Sequence, residues 1–187
     1  MDRWEDGDGY EPYVGRWSRP VAHKFVQWID AEPGARWLDV GCGTGALVGA
    51  IVDGASPGSV AGVDPSEGFL AVARRSAGGT ADLRVGDASD IPFGDADFDL
   101  VVSGLVLNFV PNPPAAIHEM RRVAAGGRVA LYVWDYAEGM ELIRYFWDVA
   151  IALDPGAADL DEAVRFPLCE PEPMVQLFQE AGLDQIE

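Results

Sequence analysis

The residues best suited to do chemistry in this 187-residue chain are acids that close apolar runs, and glycines that follow the first of them. In Trp37-Leu38-Asp39-Val40-Gly41-Cys42-Gly43-Thr44-Gly45 a short apolar stretch carries Asp39 near its end, then glycines at alternate positions. The helix-like run 46–52 follows directly. A strand feeding a glycine turn into a helix offers backbone N–H groups to a small polar ligand, and glycine allows positive φ and close ligand approach. The spacing is G-x-G-x-G, not the dinucleotide G-x-G-x-x-G. Alone, such a turn reads equally well as a tight connection. The next acid sharpens the reading. Val60-Ala61-Gly62-Val63-Asp64 is a β-branched run ending in a carboxylate, with a helix start at Pro65-Ser66. In doubly wound sheets an acid there accepts hydrogen bonds from the ribose hydroxyls of a nucleoside. Leu83-Arg84-Val85-Gly86-Asp87-Ala88 is a third strand closing on an acid, with Asp87 set to accept from an exocyclic adenine amino group. Phe98-Asp99-Leu100-Val101-Val102-Ser103 is a fourth.

These four ordered stretches, LDVGCGTG, GVDPS, GDASDIPF and DFDLVVSGLVLNFV, resemble a class I S-adenosylmethionine-dependent methyltransferase. The resemblance runs from about Tyr10 to the end of the chain and is nearest to the small-molecule group that includes ubiquinone- and menaquinone-biosynthesis C-methyltransferases. It implies S-adenosylmethionine as cofactor and methyl transfer to a small-molecule acceptor. It also implies roles. Gly41, Cys42 and Gly43 line the methionine part, and Asp39 orients the ammonium end. Asp64 holds the ribose diol with Pro65 along the adenine. Asp87 and Ala88 meet the adenine amino group, and the Ser103 carbonyl accepts from the ammonium. The arm around Tyr13 and Arg16 is similar to an N-terminal lid in these relatives, with Arg16 pairing the cofactor carboxylate and Tyr13 closing over it. An arm that packs its aromatics on the sheet edge is the alternative. No residue stands out as a base; Tyr136, Asp135, Asn108 and His23 lie where acceptors bind. A nicotinamide-dependent oxidoreductase on a related fold and a catalytically silent nucleoside-binding domain are the other readings.

The elements that must position these residues alternate strand and helix. Strands are expected at 36–40, 59–64, 82–85, 98–103 and 128–134, and helices at 44–53, 67–75, 113–124, 138–153 and 171–181. Alternation of this kind predicts right-handed crossovers and a Rossmann-like, doubly wound parallel sheet in order 3-2-1-4-5. Residues 1–17 read as an irregular arm, and Ser18 as the N-cap of a first helix with Pro20 in its first turn. Residues 183–187 are at most the start of a sixth strand, so the terminal antiparallel pair of the methyltransferase sheet is expected to be missing. That would leave strand five as an open edge and favour a homodimer through it.

Length and composition fit a single domain over 1–187. The net charge of −18 argues against a nucleic-acid partner. The pairs Arg74-Arg75 and Arg121-Arg122 read as solvated helix faces, and Asp90, Asp95, Asp97 and Asp99 as loop solvation. Two cysteines and two histidines supply no disulfide framework and no metal-ligand spacing. Without an apolar run of ~18 residues or a signal core, no membrane partner and a cytoplasmic location are expected.

Overall fold

The computed structural model describes residues 16–124 and 126–187. Five strands, β1 Arg36–Val40, β2 Ser59–Asp64, β3 Asp82–Val85, β4 Leu100–Gly104 and β5 Arg128–Tyr132, form one sheet in order β3-β2-β1-β4-β5. Every pairing is parallel. The expected order is therefore the observed one. Seven helices accompany the strands among the described residues: α1 Arg16–Ile29, α2 Ala46–Gly54, α3 Glu67–Ala77, α4 Pro113–Val123, α5 Glu141–Leu153, the single turn α6 Glu162–Arg165, and α7 Pro171–Glu180.

The central strands read as continuous apolar runs because both sheet faces are covered. Alternation along them splits the core in two. Trp37, Leu100 and Val102 turn to the face packed by α1 and α2, with Phe25, Leu47, Val48 and Ile51. Leu38, Val40, Val63 and Val101 turn to the other face, against Ile117, Met120 and Val123 of α4 and Leu177 of α7. The strand ends are pinned by backbone amides and by paired charges. The Arg36 guanidinium and N–H both donate to Asp99, tying the start of β1 to the start of β4.

Several expectations are corrected. Ser18 is not an N-cap: α1 already begins at Arg16, with Ser18 buried inside it and Pro20 also within the helix. The helix stops at Ile29 because Asp30 takes a left-handed φ of 47°, ahead of Pro33. α5 starts three residues later than its apolar pattern suggests, because the Asp135 carboxylate accepts the N–H groups of Ala137 and Glu138 and holds a turn there. The α5 stripe Leu142, Tyr145, Phe146, Val149 and Leu153 faces outward, and Trp147 is the residue buried. Residues 183–187 form no strand; the Leu183 N–H bonds to the Phe178 carbonyl and turns the chain back on α7.

Arg122 is no solvated face either. Its guanidinium donates to the carbonyls of Ile91 and Phe93 and to the carboxylates of Asp95 and Glu119, while Glu119 accepts the Ile91 N–H. One side chain of α4 thus clamps the loop between β3 and β4, and Asp95 and Asp99 are engaged rather than merely solvated. Arg121 makes one such bond, to the Ala181 carbonyl. Arg122→Met should therefore cost about 2 kcal/mol of unfolding free energy in urea, and Arg121→Met roughly 1 kcal/mol. Equal losses would show that the clamp carries no special weight.

Candidate cofactor site

The sheet order reverses between β1 and β4, and at such a switch point the loops leaving neighbouring strands diverge and open a crevice. A pocket of about 220 Å³ lies there, lined by Asp39 of β1, Asp64 of β2, Gly104 of β4 and Tyr132 of β5. The glycine turn forms its floor. Gly41 has φ 76°, and a Cβ on it would sit 2.5 Å from Val106 Cγ1. Gly43 has φ 52° with nothing nearer its Cβ position than 4.0 Å. The first glycine is required by packing and backbone together, the second by backbone alone, so the space beside Gly43 stays open to a ligand.

The turn is fastened to β2. The N–H groups of Gly41 and Cys42 both donate to the Val63 carbonyl, at 2.8 and 3.0 Å. The Gly43 N–H donates to Asp64 Oδ2 at 2.9 Å, and the Ser66 N–H to Asp64 Oδ1 at 2.8 Å. Each Asp64 oxygen thus has one protein donor and lone pairs to spare. Burial raises the Asp64 pKa from its ordinary value and the two N–H donors oppose the rise. Ser66, not Pro65, does the local work next: its hydroxyl accepts the Phe69 N–H and starts α3, which sends Phe69 to the pocket wall. Pro65 itself is exposed and does not line the pocket.

Asp39 contrasts with Asp64. It is 1% exposed, and neither carboxylate oxygen has a hydrogen-bond partner. Burial, then the negative charge of Asp64, push its pKa up to about 8; the Val48 N–H leans the other way without closing a hydrogen bond. Cys42 packs against Gly62, and burial followed by the charges of Asp39 and Asp64 drives its thiol pKa upward, which makes it an inert filler of the turn.

The other expected site residues stand further back. Asp87 is exposed and caps its own turn by accepting the Ser89 N–H at 2.7 Å; neither it nor Ala88 lines the pocket. The Gly86 N–H donates to the Asp64 carbonyl, which keeps Asp87 beside the end of β2. Ser103 is buried with its hydroxyl donating to the Val40 carbonyl, and its neighbour Gly104 is the residue at the pocket. Tyr13 lies outside the described residues, and Arg16 enters only as the first residue of α1. Of the bases considered, Tyr136 lines the pocket; Asp135 is spent on its turn, His23 is exposed, and Asn108 lines a separate groove. Sequence reading missed Ser18, Phe109, Tyr132 and Trp134, all pocket-lining. They come from elements remote in sequence, and only the strand order brings them together. Leu105, which follows β4, carries a φ of 64°, strained for a branched side chain, and it too lines the pocket.

Residues 38–131, half of the chain, match the sequence profile of the methyltransferase domain family. The chain belongs to that family. It is 38% identical over 124 residues to a demethylmenaquinone methyltransferase of Symbiobacterium thermophilum, covering 62% of this chain and 48% of that one. It is 37% identical over 131 residues to a 2-phytyl-1,4-naphthoquinone methyltransferase of Synechococcus elongatus, covering 66% and 56%. The chain spans about half the length of the curated relatives it matches. Among solved structures, the fold matches a Methanococcus maripaludis chain described as an S-adenosyl-L-methionine-dependent methyltransferase, with TM-score 0.68, 20% identity, and 97% of this chain and 84% of that one covered. The YcgJ protein of Bacillus subtilis matches with TM-score 0.65 at 21% identity, covering 87% and 68%. The Rossmann-like methyltransferase fold is thereby established, and the family implies S-adenosylmethionine as cofactor. The pocket fits it. A bare buried carboxylate calls for a cation, a half-satisfied one beside it suits a diol, and the Gly43 backbone leaves room between them.

Two stability measurements check this geometry. Gly41→Ala combines left-handed strain with a clash and should cost about 3 kcal/mol, against roughly 1 kcal/mol for Gly43→Ala, in urea titrations. Asp39, with a pKa of about 8 when folded and about 4 when unfolded, binds a proton in the folded state that the unfolded chain has released. Stability of the ligand-free protein must therefore fall as pH rises through that window. Asp39→Asn should remove the slope, raising the melting temperature at pH 8 more than at pH 5; a parallel shift at both pH values would contradict it.

Proposed function

We propose that this chain binds S-adenosylmethionine in the pocket at the carboxyl ends of β1, β2 and β4 and transfers its methyl group to a small-molecule acceptor. The observation that carries the reading is the pair of buried acids around the glycine turn, one holding a single N–H donor on each oxygen and one bare. When bound, the sulfonium supplies an electrophilic methyl group, so the protein needs neither a metal nor a covalent nucleophile. Asp64 accepts the two ribose hydroxyls through its remaining lone pairs. Asp39 faces the ammonium end. Phe69 lies along the purine, and Asp87 with Ala88 meets its amino edge. Gly41 and Gly43 admit the methionine chain, and the backbone at Ser103 and Gly104 closes that end. Tyr13 and Arg16 belong to the arm that leads into α1.

On the acceptor side the chain orients and excludes water. Phe109, Trp134 and Tyr136 line the pocket. Phe166 braces two of them, with ring centroids 5.2 Å from Phe109 and 5.6 Å from Tyr136. Such walls suit a flat, largely apolar ring stacked against the methyl donor. The names of two relatives, a demethylmenaquinone methyltransferase and a 2-phytyl-1,4-naphthoquinone methyltransferase, point the same way. Tyr136 is the residue best placed to hold or take a proton there. We read the chain as one domain that works in the cytoplasm on small molecules; no helix of the described residues is long and apolar enough to cross a membrane. No strand lies outside β5 among the described residues, which supports self-association through that edge. The strong negative charge disfavours nucleic acid.

Calorimetry tests the site. Each charge-assisted bond from Asp64 to a ribose hydroxyl is worth ~1.5–3 kcal/mol, so Asp64→Ala should weaken S-adenosylhomocysteine binding at least tenfold. Asp90→Ala, on an exposed loop, should leave it unchanged. Equal dissociation constants for the two variants would refute the assignment. Binding of NAD in place of S-adenosylhomocysteine would favour the oxidoreductase reading.

A further inference from the structure

The two acids at the pocket differ in a way that goes beyond holding a ligand. Asp64 receives the N–H groups of Gly43 and Ser66, whereas Asp39 receives none and is sealed from water. Two buried carboxylates at one pocket do not both ionise readily, because each charge opposes the other in a medium that screens poorly. The hydrogen bonds decide which acid keeps the charge. Two N–H donors stabilise carboxylate at Asp64, and nothing comparable does so at Asp39, so the proton resides on Asp39.

The described residues around Asp39 give no other route to neutralisation. From β2 the facing group is the Asp64 carboxylate, which repels a second charge. From the turn it is the Cys42 thiol, held neutral by the same burial. From α2 it is only the Val48 N–H. Arg74 of α3 acts on Cys42, not on Asp39, and already donates to Glu67 and the Leu83 carbonyl. From β4, the Ser103 hydroxyl is committed to the Val40 carbonyl. Among the described residues no cationic side chain meets Asp39.

We infer that Asp39 is a proton-exchanging counter-charge: it is a neutral acid in the ligand-free protein and loses its proton to solvent when it receives a primary ammonium group. The inference rests on the proposed binding of an adenosyl amino acid at this site. Its consequence is that binding of such a ligand is coupled to pH, tight in alkaline and weak in mildly acid solution, while a nucleoside without the ammonium is indifferent. The raised pKa of Asp39, about 8, places the coupling across neutral pH. Balance is simple: one carboxylic O–H breaks, its proton passes to buffer, and the carboxylate left behind pairs with an ammonium that keeps all its own protons.

The test is calorimetric titration of the full chain with S-adenosylhomocysteine at pH 7 in phosphate and in Tris, whose ionisation heats differ widely. The heats should differ by an amount that corresponds to release of close to one proton, and the dissociation constant should tighten about tenfold between pH 6 and pH 7 and level off above pH 8. Titration with 5′-methylthioadenosine, the same nucleoside thioether without the amino-acid end, should release no proton. Asp39→Asn, which imitates the neutral acid in shape, should bind S-adenosylhomocysteine with no proton release and no pH slope. Identical heats of S-adenosylhomocysteine binding in both wild-type buffers would overturn the inference while leaving the site intact. Absence of any binding heat or melting shift with S-adenosylhomocysteine would overturn the site, and the inference with it.

Discussion

The pocket depends on one short contact, the Gly43 N–H donating to the Asp64 carboxylate. It joins the turn after β1 to the end of β2 across the sheet, and with the two amides on the Val63 carbonyl it sets the path of the glycine loop. That path in turn places Gly41 under Val106 and leaves the space beside Gly43 open. Because Asp64 is satisfied from both sides by amides, it can be buried as an ion. Asp39 has no such support, yet it is held in the same enclosure by its position in β1. The two acids reach opposite states by the same physics, hydrogen bonding against desolvation. A ligand carrying hydroxyls at one end and a cation at the other answers both.

Beyond this contact, the remaining structure serves to hold the strand ends still. The two-faced core buries β1, β2 and β4 on both sides, so the loops at their carboxyl ends start from fixed points. Arg122 and Glu119 restrain the long loop after β3, and Arg36 with Asp99 sets the register at the opposite end of the sheet. The acceptor side is built differently. Phe109 comes from the turn after β4, Tyr136 from the segment after β5, and Phe166 from the residue that ends α6. Their ring contacts bridge parts of the chain far apart in sequence, so specificity for the acceptor can change without disturbing the turn or the two acids.

The central strands β1, β2 and β4 were legible in the sequence because strands buried on both faces read as apolar runs, and each run gives way to an acid or a glycine at its carboxyl end. The acids Asp39 and Asp64 were legible for the same reason: a carboxylate at the end of an apolar strand is costly unless it has a task. What could not be read was anything decided by crossing elements. Ser18 resembles a helix cap in sequence, but the helix starts earlier and Ser18 faces the pocket. Arg122 looks like half of a solvated pair until the loop it clamps is folded over it. Asp87 follows β3 as expected, yet the structure turns it to solvent, and Ser103 stands near the end of β4 with its hydroxyl on the Val40 carbonyl, a bond that leaves the expected role of its own carbonyl untouched. The apolar stripe of α5 has the right spacing for a buried face, and only the packing of Trp147 shows that the helix is turned the other way.

A crystal structure of this chain grown with S-adenosylhomocysteine is the most direct test of the site. The ribose hydroxyls should lie within hydrogen-bond distance of the Asp64 carboxylate, with the Gly43 and Ser66 amides still bonded to it and the ammonium on the side of Asp39. A nucleoside bound elsewhere, or one in this pocket whose ribose makes no contact with Asp64, would contradict it.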